Sequence, residues 1–110
     1  MNIQRYSIHL ANLDPTVGSE IRKTRPVVVV SDNTMNKFLE TVVVCPLTTK
    51  LHPRWRGRIQ INSNGRQAEI AVDQIRTISK QRLIKRLDGL SSSDGSVLRK
   101  LITEMYGECK

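Results

Sequence analysis

The chain has 110 residues and a formal net charge of +8. This length supports one hydrophobic core but not two, so residues 1–110 are expected to form a single domain. No apolar run approaches the roughly 20 residues of a membrane-spanning helix, and residues 1–5 lack the apolar core of a secretory signal. We therefore expect a cytoplasmic protein without membrane contact. A domain this basic attracts polyanions, and the lack of a basic amphipathic helix favours nucleic acid.

The sequence contains few candidate metal ligands. Its two cysteines, Cys45 in a valine-rich stretch and Cys109 near the C-terminus, form neither a disulfide framework nor a metal motif. His9 and His52 are the only histidines, and we interpret them as a strand residue and a loop residue. Because no cluster of histidine, cysteine and carboxylate residues shows ligand spacing, we expect no metal and no cofactor.

Two valine runs dominate the first half of the chain. Residues 27–30 are four successive valines, and residues 42–44 are three more. β-Branched side chains favour strands, and a run without polar alternation predicts a strand that is buried on both faces. Pro26 can open the first valine strand but could not lie in its middle without the loss of a ladder hydrogen bond. An earlier strand is predicted over residues 6–13, and the polar segment 32–38 is predicted to be a connection with one helical turn.

Short strands and turns follow. Residues 50–58, here called the basic loop, contain four cations and the only tryptophan. Strands are predicted over residues 58–62 and 68–72, joined by a hairpin turn at Asn64-Gly65. Two further short strands are predicted over residues 75–78 and 83–87.

The C-terminal segment predicts a helix. Ser91 is the expected N-cap, and Gly107 is the expected end. Between them an apolar stripe recurs at helical spacing, consisting of Val97, Leu98, Leu101, Ile102, Met105 and Tyr106. We interpret the stripe as core packing, with part of it at a dimer interface. Short strands around one terminal helix predict a mainly β fold, a compact SH3-like barrel with a C-terminal helix.

Polar residues stand at one end of each valine strand. Arg25 precedes the first strand, and Thr48 and Thr49 follow the second. If the two strands pair side by side, a permanent cation and two hydroxyl groups meet at one rim of the sheet. This arrangement suits an anion.

Four sequence blocks, in this order, resemble the MazF/PemK family of toxin endoribonucleases. They are Asp14-Pro15-Thr16-Val17-Gly18-Ser19-Glu20, then Lys23-Thr24-Arg25-Pro26 with the valines, then Pro46-Leu47-Thr48-Thr49, and Val72-Asp73-Gln74-Ile75-Arg76-Thr77-Ile78. The resemblance implies a barrel of the CcdB/MazF type. It also implies sequence-specific, metal-independent cleavage of single-stranded mRNA by attack of the 2′-hydroxyl, which gives a 2′,3′-cyclic phosphate and a 5′-hydroxyl. The implied partners are a second copy in a homodimer and an acidic MazE-like antitoxin, whose complex with the toxin binds DNA.

The resemblance also assigns three catalytic residues. Arg25 matches the catalytic arginine, and its forked, permanently charged guanidinium suits two phosphoryl oxygens. Thr48 matches the catalytic threonine, whose hydroxyl can donate to a non-bridging oxygen. Glu20 matches an acid that orients Arg25 or acts as the base, and the alternative is a solvated loop glutamate. The alternatives that do not depend on the resemblance are that Arg25 is a surface arginine at the end of a strand and that Thr48 is an ordinary strand residue.

A further aspartate matches the family pattern only in part. Asp73 corresponds to an aspartate that acts in some plasmid-borne members. Those members also carry an arginine two residues earlier and a histidine before the loop glutamate, where this chain has Ala71 and Ser19. We therefore expect Asp73 and Gln74 to bind RNA or to hold the rim, with RNA contact also from the nearby Arg76.

The basic loop suits single-stranded RNA. We expect RNA contacts from Thr49, Lys50, Arg54, Trp55 and Arg56, because bases stack on aromatic planes and cations bind phosphates. The alternative is that Trp55 caps the core and the arginines are solvated.

Two other functions remain open at this point. A CcdB-like inhibitor of DNA gyrase shares the expected fold, but it acts through a tryptophan near its C-terminus. This chain ends in residues 105–110 without a tryptophan, which argues against that function. The other alternative is a non-catalytic RNA-binding barrel.

Overall fold

A computed structural model of the chain describes residues 2–63 and 65–107. Within these residues the chain forms seven strands and two helices. The strands are β1 (Ser7–Asn12), β2 (Thr24–Val29), β3 (Thr41–Thr48), β4 (Arg58–Ser63), β5 (Arg66–Ala71), β6 (Arg76–Ser79) and β7 (Leu83–Gly89). The helices are α1 (Asn33–Phe38) and α2 (Ser92–Tyr106), and single turns of 3-10 helix cover Val72–Gln74 and Lys80–Arg82.

The strands form one antiparallel sheet that curls into a half-barrel, as the sequence predicts. Its order is β4-β5-β3-β2-β1-β7, with β6 also paired to β3. Along one edge, β3 pairs first with β6, up to Val44, and then with β5 from Leu47 onward. Pro46 lies where β3 exchanges one partner for the other, a position that tolerates the missing N–H of proline.

Pro26 lies inside β2 rather than at its start. The strand begins at Thr24, so Pro26 is its third residue and does not open it. This is possible because β2 pairs with β3 only from Val27 onward. At Pro26 the strand has β1 alone as a neighbour, and a proline is acceptable on such an edge.

The valine runs are buried on both faces, as their lack of polar alternation predicts. Val28 and Val30 belong to an apolar cluster that includes Leu98 of α2. Val27 and Val29 point to a second cluster on the opposite face of the sheet, with residues of β1, β3, β6 and β7. The half-barrel therefore has apolar packing on both sides of its central strands.

Helix α2 covers the first of these clusters. The side chain of Ser91 accepts the N–H of Asp94, and Gly107 ends the helix, so both predicted caps are confirmed. Leu98 is fully buried, whereas Val97 and Tyr106 are half exposed, so only part of the predicted stripe faces the core. In the described residues, no helix is long and apolar enough to cross a membrane.

The hairpin between β4 and β5 closes with the pair Ser63–Arg66. Gly65 in the turn has φ +75°, a left-handed conformation that glycine adopts without strain. Asn64, the other predicted turn residue, lies outside the described residues, as does Cys109. Cys45 is buried in the first apolar cluster, and burial together with the charge of Asp73 raises the pKa of its thiol to about 12.

Candidate functional site

Arg25 and Thr48 lie at matching ends of two neighbouring strands. Val27 of β2 pairs with Pro46 of β3 in an antiparallel register. Arg25 lies two residues before Val27 and Thr48 lies two residues after Pro46, beyond the point where the two strands pair. Both residues line one open cleft of about 400 Å³, here called the Arg25 cleft. The cation and the hydroxyl expected at one rim therefore border the same space.

The guanidinium of Arg25 is available to an anion. The residue is half-buried, and its Nε donates to the backbone carbonyl of Arg22 at 3.0 Å. The two ion pairs found in the described residues both belong to Arg58, so no carboxylate there neutralises Arg25. A fixed cation without a counter-ion, at the wall of an open cleft, attracts phosphate.

The hairpin of β4 and β5 supplies the opposite wall of the Arg25 cleft. Its polar lining residues are Ser63, Arg66 and Gln67, none of which sequence patterns singled out. The hairpin turn could be recognised from Asn64-Gly65, but the pairing of β5 with β3 could not. Thr49 also lines the cleft, and the other lining residues are apolar and include Pro26 and Leu87, so the cleft offers both an apolar surface and charged edges.

Thr48 connects the Arg25 cleft to a second cleft. Its side chain is 9% exposed, and Oγ1 accepts the backbone N–H of Lys50 at 3.1 Å. Thr48 also lines a neighbouring cleft of about 370 Å³ that is bordered by Lys50, His52 and Trp55, here called the loop cleft. A polymer bound in the Arg25 cleft would therefore reach the basic loop by passing Thr48.

Glu20 lies in a separate depression. Its Oε1 accepts the backbone N–H of Val17 at 2.7 Å, and the residue is exposed. It borders a space shared with Asp73, Gln74 and Arg76 and does not line the Arg25 cleft. The structure thus brings Arg25 and Thr48 together but leaves Glu20 beside a different group of predicted residues.

Gln74 and Arg76 hold neighbouring loops in place. Oε1 of Gln74 accepts the N–H of Ile21 at 2.6 Å, and Nε2 donates to the carbonyl of Ser19 at 3.5 Å. Nη1 of Arg76 donates to the carbonyl of Leu13 at 3.3 Å. Gln74 is expected either to bind RNA or to hold the rim of the sheet, and these contacts correspond to the second role.

Arg58 links two carboxylates at the base of the loop cleft. Its Nε donates to Asp73 at 2.8 Å and its Nη1 donates to Glu69 at 2.7 Å. Arg58 is also the partner of Ala71 in the ladder between β4 and β5. Although residue 71 is an alanine, the guanidinium of Arg58 from the adjacent strand therefore lies beside Asp73.

The charges of this cluster stabilise one another. Burial alone would raise the pKa of Glu69, but hydrogen bonds from His52, Arg58 and Gln60, together with the charge of Arg58, hold that pKa below its usual value. Burial alone would lower the pKa of Arg58, but its hydrogen bonds to Asp73 and Glu69, together with the charges of these carboxylates, raise that pKa above its usual value. Both groups are therefore ionised at neutral pH.

The basic loop presents Trp55 to solvent. Trp55 is 53% exposed, so it does not cap the core. Its ring stacks on His52 with centroids 3.8 Å apart, and the guanidinium carbon of Arg58 lies 4.8 Å from the ring centroid. The other predicted RNA contacts in this region, Thr49, Lys50, Arg54 and Arg56, are all exposed. Within residues 2–63 and 65–107, no group of three or more His, Cys, Asp or Glu side chains is arranged to hold a metal ion.

Comparisons with known proteins identify the family of the chain. The family described as PemK-like, MazF-like toxin of type II toxin–antitoxin system matches residues 4–106. The chain is 34% identical to Endoribonuclease MazF of Staphylococcus epidermidis over 96 residues, which cover 83% of this chain and 80% of that protein.

Solved structures show the same fold. MazF from Deinococcus radiodurans superposes with a TM-score of 0.85 at 17% identity, covering 98% of this chain and 99% of that chain. A structure of MazE–MazF from the same organism (Form-II) superposes with a TM-score of 0.80 at 17% identity and 99% coverage of both chains. Since the family match spans nearly the whole sequence, the chain belongs to the family of PemK-like, MazF-like toxins of type II toxin–antitoxin systems.

Proposed function

We propose that this chain is a sequence-specific endoribonuclease that cleaves single-stranded mRNA in the cytoplasm and so inhibits the growth of its own cell. The observation that carries the proposal is that Arg25 and the Thr48 hydroxyl line one open cleft. Arg25 has no carboxylate partner in the described residues. The similarity to Endoribonuclease MazF supports the same activity. The net charge of +8 supports a polyanionic substrate.

The proposed reaction is an attack within the RNA chain. The ribose 2′-oxygen forms a bond to the adjacent phosphorus and gives its proton to a base. The bond from phosphorus to the 5′-oxygen breaks, and that oxygen takes up a proton. The products are a 2′,3′-cyclic phosphate and a 5′-hydroxyl, and the reaction requires no metal.

Arg25 and Thr48 would act on the charge that develops during this attack. The five-coordinate phosphorus carries extra negative charge on its non-bridging oxygens, and preorganised donors at that position lower the barrier. The guanidinium of Arg25 can bind two such oxygens with its forked N–H groups. The hydroxyl of Thr48 can donate its proton to one of them, since its lone pair already accepts from Lys50.

We assign proton transfer to Glu20, because an arginine remains protonated at neutral pH and is a poor base. One oxygen of Glu20 caps the N–H of Val17, and the carboxylate is otherwise exposed. In the alternative role, Glu20 orients Arg25. Either role requires Glu20 to approach the Arg25 cleft, and two hydrogen bonds to Gln74 hold the loop that carries it.

The RNA strand would run from the Arg25 cleft past Thr48 to the basic loop. There Trp55 would stack on a base, and the exposed cations Lys50, Arg54 and Arg56 would bind phosphates. Thr49 would add a hydrogen bond at the junction. The remaining predicted contacts, Asp73, Gln74 and Arg76, border the depression that contains Glu20 and would meet a flanking nucleotide.

The proposed partners follow from the family and from charge. The related Deinococcus radiodurans structure contains MazE with MazF, and an acidic antitoxin of that kind would be attracted to a chain with a net charge of +8. We propose that it blocks the RNA groove of a homodimer and that the complex binds DNA.

The direct test is cleavage of a long, 5′-labelled single-stranded RNA by the purified chain in the presence of EDTA, followed by mapping of the ends. We expect cuts at one short motif, each leaving a 2′,3′-cyclic phosphate and a 5′-hydroxyl. Cleavage that appears only after Mg²⁺ is added would contradict the proposed mechanism. Binding without cleavage would indicate the non-catalytic RNA-binding barrel.

A further inference from the structure

Glu69 is a fully buried carboxylate that stands beside Thr48. The two residues are partners in the ladder between β3 and β5, and Glu69 is 0% exposed. Its Oε1 accepts the backbone N–H of His52 at 2.6 Å and Nε2 of Gln60 at 2.9 Å, while Oε2 accepts from Arg58 at 2.7 Å. Both oxygens are therefore occupied, as a buried carboxylate requires.

These bonds fasten the basic loop at both ends. The bond to His52 holds the loop shortly after Thr48, and the bond to Arg58 holds it where β4 begins. The carbonyl of Gly57 adds bonds from the N–H groups of Val72 and Asp73, at 2.8 and 3.2 Å. Gly57 lies so close to Asp73 that a Cβ there would be 2.6 Å from the Cβ of the aspartate. The loop thus has one defined path around Glu69.

The Glu69–Arg58 pair is better explained by its effect on the position of the basic loop than by a contribution to the stability of the fold. Removing two charges from water costs much of the free energy that their attraction returns, so a buried ion pair is a weak source of net stability. The loop itself is mostly exposed and has few apolar contacts that would order it. The buried carboxylate supplies that order, because it binds the backbone of the loop directly.

We infer that Glu69 is a positioning residue, whose buried carboxylate holds the basic loop beside Thr48 so that Trp55 and Lys50 meet the RNA strand leaving the Arg25 cleft. Glu69 does not itself touch RNA in this arrangement. The inference rests on the proposed RNA-cleaving function. It adds a determinant of RNA affinity that lies below the binding surface.

The variant Glu69→Gln tests this inference, because it keeps the size of the side chain but removes the charge that faces Arg58. Trp55 is the only tryptophan, so its fluorescence reports the loop directly and without RNA. We expect the variant to show a changed emission and greater quenching by acrylamide. We expect RNA affinity per folded molecule to fall about tenfold, close to the loss of one base stack, with kcat changed much less.

A double-mutant cycle separates positioning from general damage. If Glu69 acts through the loop, Glu69→Gln should change RNA affinity by less than about twofold in a Trp55→Ala background. Gln60→Ala is the matched control, because it removes one hydrogen bond to the same carboxylate without touching the loop. We expect this control to keep both the fluorescence and the RNA affinity of the wild type.

Two results would overturn the inference. The first is a folded Glu69→Gln variant with wild-type quenching and wild-type RNA affinity. The second, which applies even if the variant does not fold, is rapid hydrogen exchange of the His52 amide in the wild-type chain, where we expect protection. If the wild-type chain neither binds nor cleaves RNA, the proposed function fails, and the inferred role in RNA affinity fails with it. Trp55 fluorescence and His52 exchange would then report only how the loop is held.

Discussion

The hydroxyl oxygen of Thr48 accepts the backbone N–H of Lys50 at 3.1 Å. This contact fixes the side-chain rotamer of a residue that is 9% exposed, and it leaves the hydroxyl proton to be donated elsewhere. A hydroxyl held in this way is preorganised, so it can donate to a phosphoryl oxygen without reorienting at the moment of reaction.

Replacing Thr48 tests the role of this hydroxyl. Thr48→Val keeps the shape but removes the donor, and we expect kcat to fall by about 10²–10³, the usual effect of losing one preorganised donor. Thr48→Ser retains the hydroxyl and should remain within about tenfold of the wild type. Single-turnover cleavage of a short RNA measures both rates. Equal rates for the valine and serine variants would remove the hydroxyl from the mechanism.

Trp55→Ala tests base stacking by the basic loop. Because the ring is half exposed and packs on His52 rather than on the core, we expect RNA affinity to fall by about 1–3 kcal/mol while the melting temperature changes little. The two quantities should be measured on the same preparation. A large loss of melting temperature with unchanged affinity per folded molecule would show that Trp55 has a structural role only.

The exposed arginines of the loop should contribute to the salt dependence of RNA binding. Each phosphate contact on a single strand adds about 0.7 to the slope of log affinity against log salt concentration. The double replacement of Arg54 and Arg56 by alanine should therefore flatten the slope by about 1.4. Lys100→Ala, on the exposed surface of α2, provides the control. Identical slopes for wild type and double variant would mean that these arginines face solvent in the complex.

Because His9 is buried, we expect the folded chain to lose stability in mild acid. Its ring is 0% exposed, Nε2 lies 2.9 Å from the hydroxyl of Ser7, and Nδ1 has no partner in the described residues. Burial, and then the charge of Arg86, lower its pKa in the folded chain from 6.5. As the pH falls below about 6.5, the unfolded chain binds a proton before the folded chain does, so the free energy of unfolding decreases.

The measurement is the free energy of unfolding at several pH values between about 7 and 5, above the range where carboxylates titrate. We expect a slope of up to about 1.4 kcal/mol per pH unit. His9→Gln, which cannot be protonated, should remove most of this slope. A variant that keeps the wild-type slope would show that another group is responsible.

The sequence predicted local features well and long-range neighbours poorly. The burial of the valines, the cap at Ser91 and the hairpin glycine all follow from residues close together in the chain. The opposite wall of the Arg25 cleft depends on the pairing of β5 with β3, which no local pattern encodes. The same holds for Glu69, since its partners come from the basic loop and from β4. A glutamate among apolar residues of a predicted strand was the one available signal.

The surroundings of Asp73 illustrate the same limit. Ala71 and Arg58 are neighbours only because β4 and β5 pair in one register. In the sequence, residue 71 is an alanine, whereas in the fold the guanidinium of Arg58 lies 2.8 Å from the carboxylate of Asp73.

The central claim is that Arg25 stabilises the charge that develops on phosphorus, and its most direct test is single-turnover cleavage of RNA by Arg25→Ala in EDTA. Arg22→Ala removes a cation from the loop just before β2 without removing the one that lines the cleft, so it is the matched control. We predict a loss of about 10²–10³ in rate for Arg25→Ala, an unchanged melting temperature, and a rate close to the wild type for Arg22→Ala. A folded Arg25→Ala variant that cleaves within tenfold of the wild type would contradict the claim.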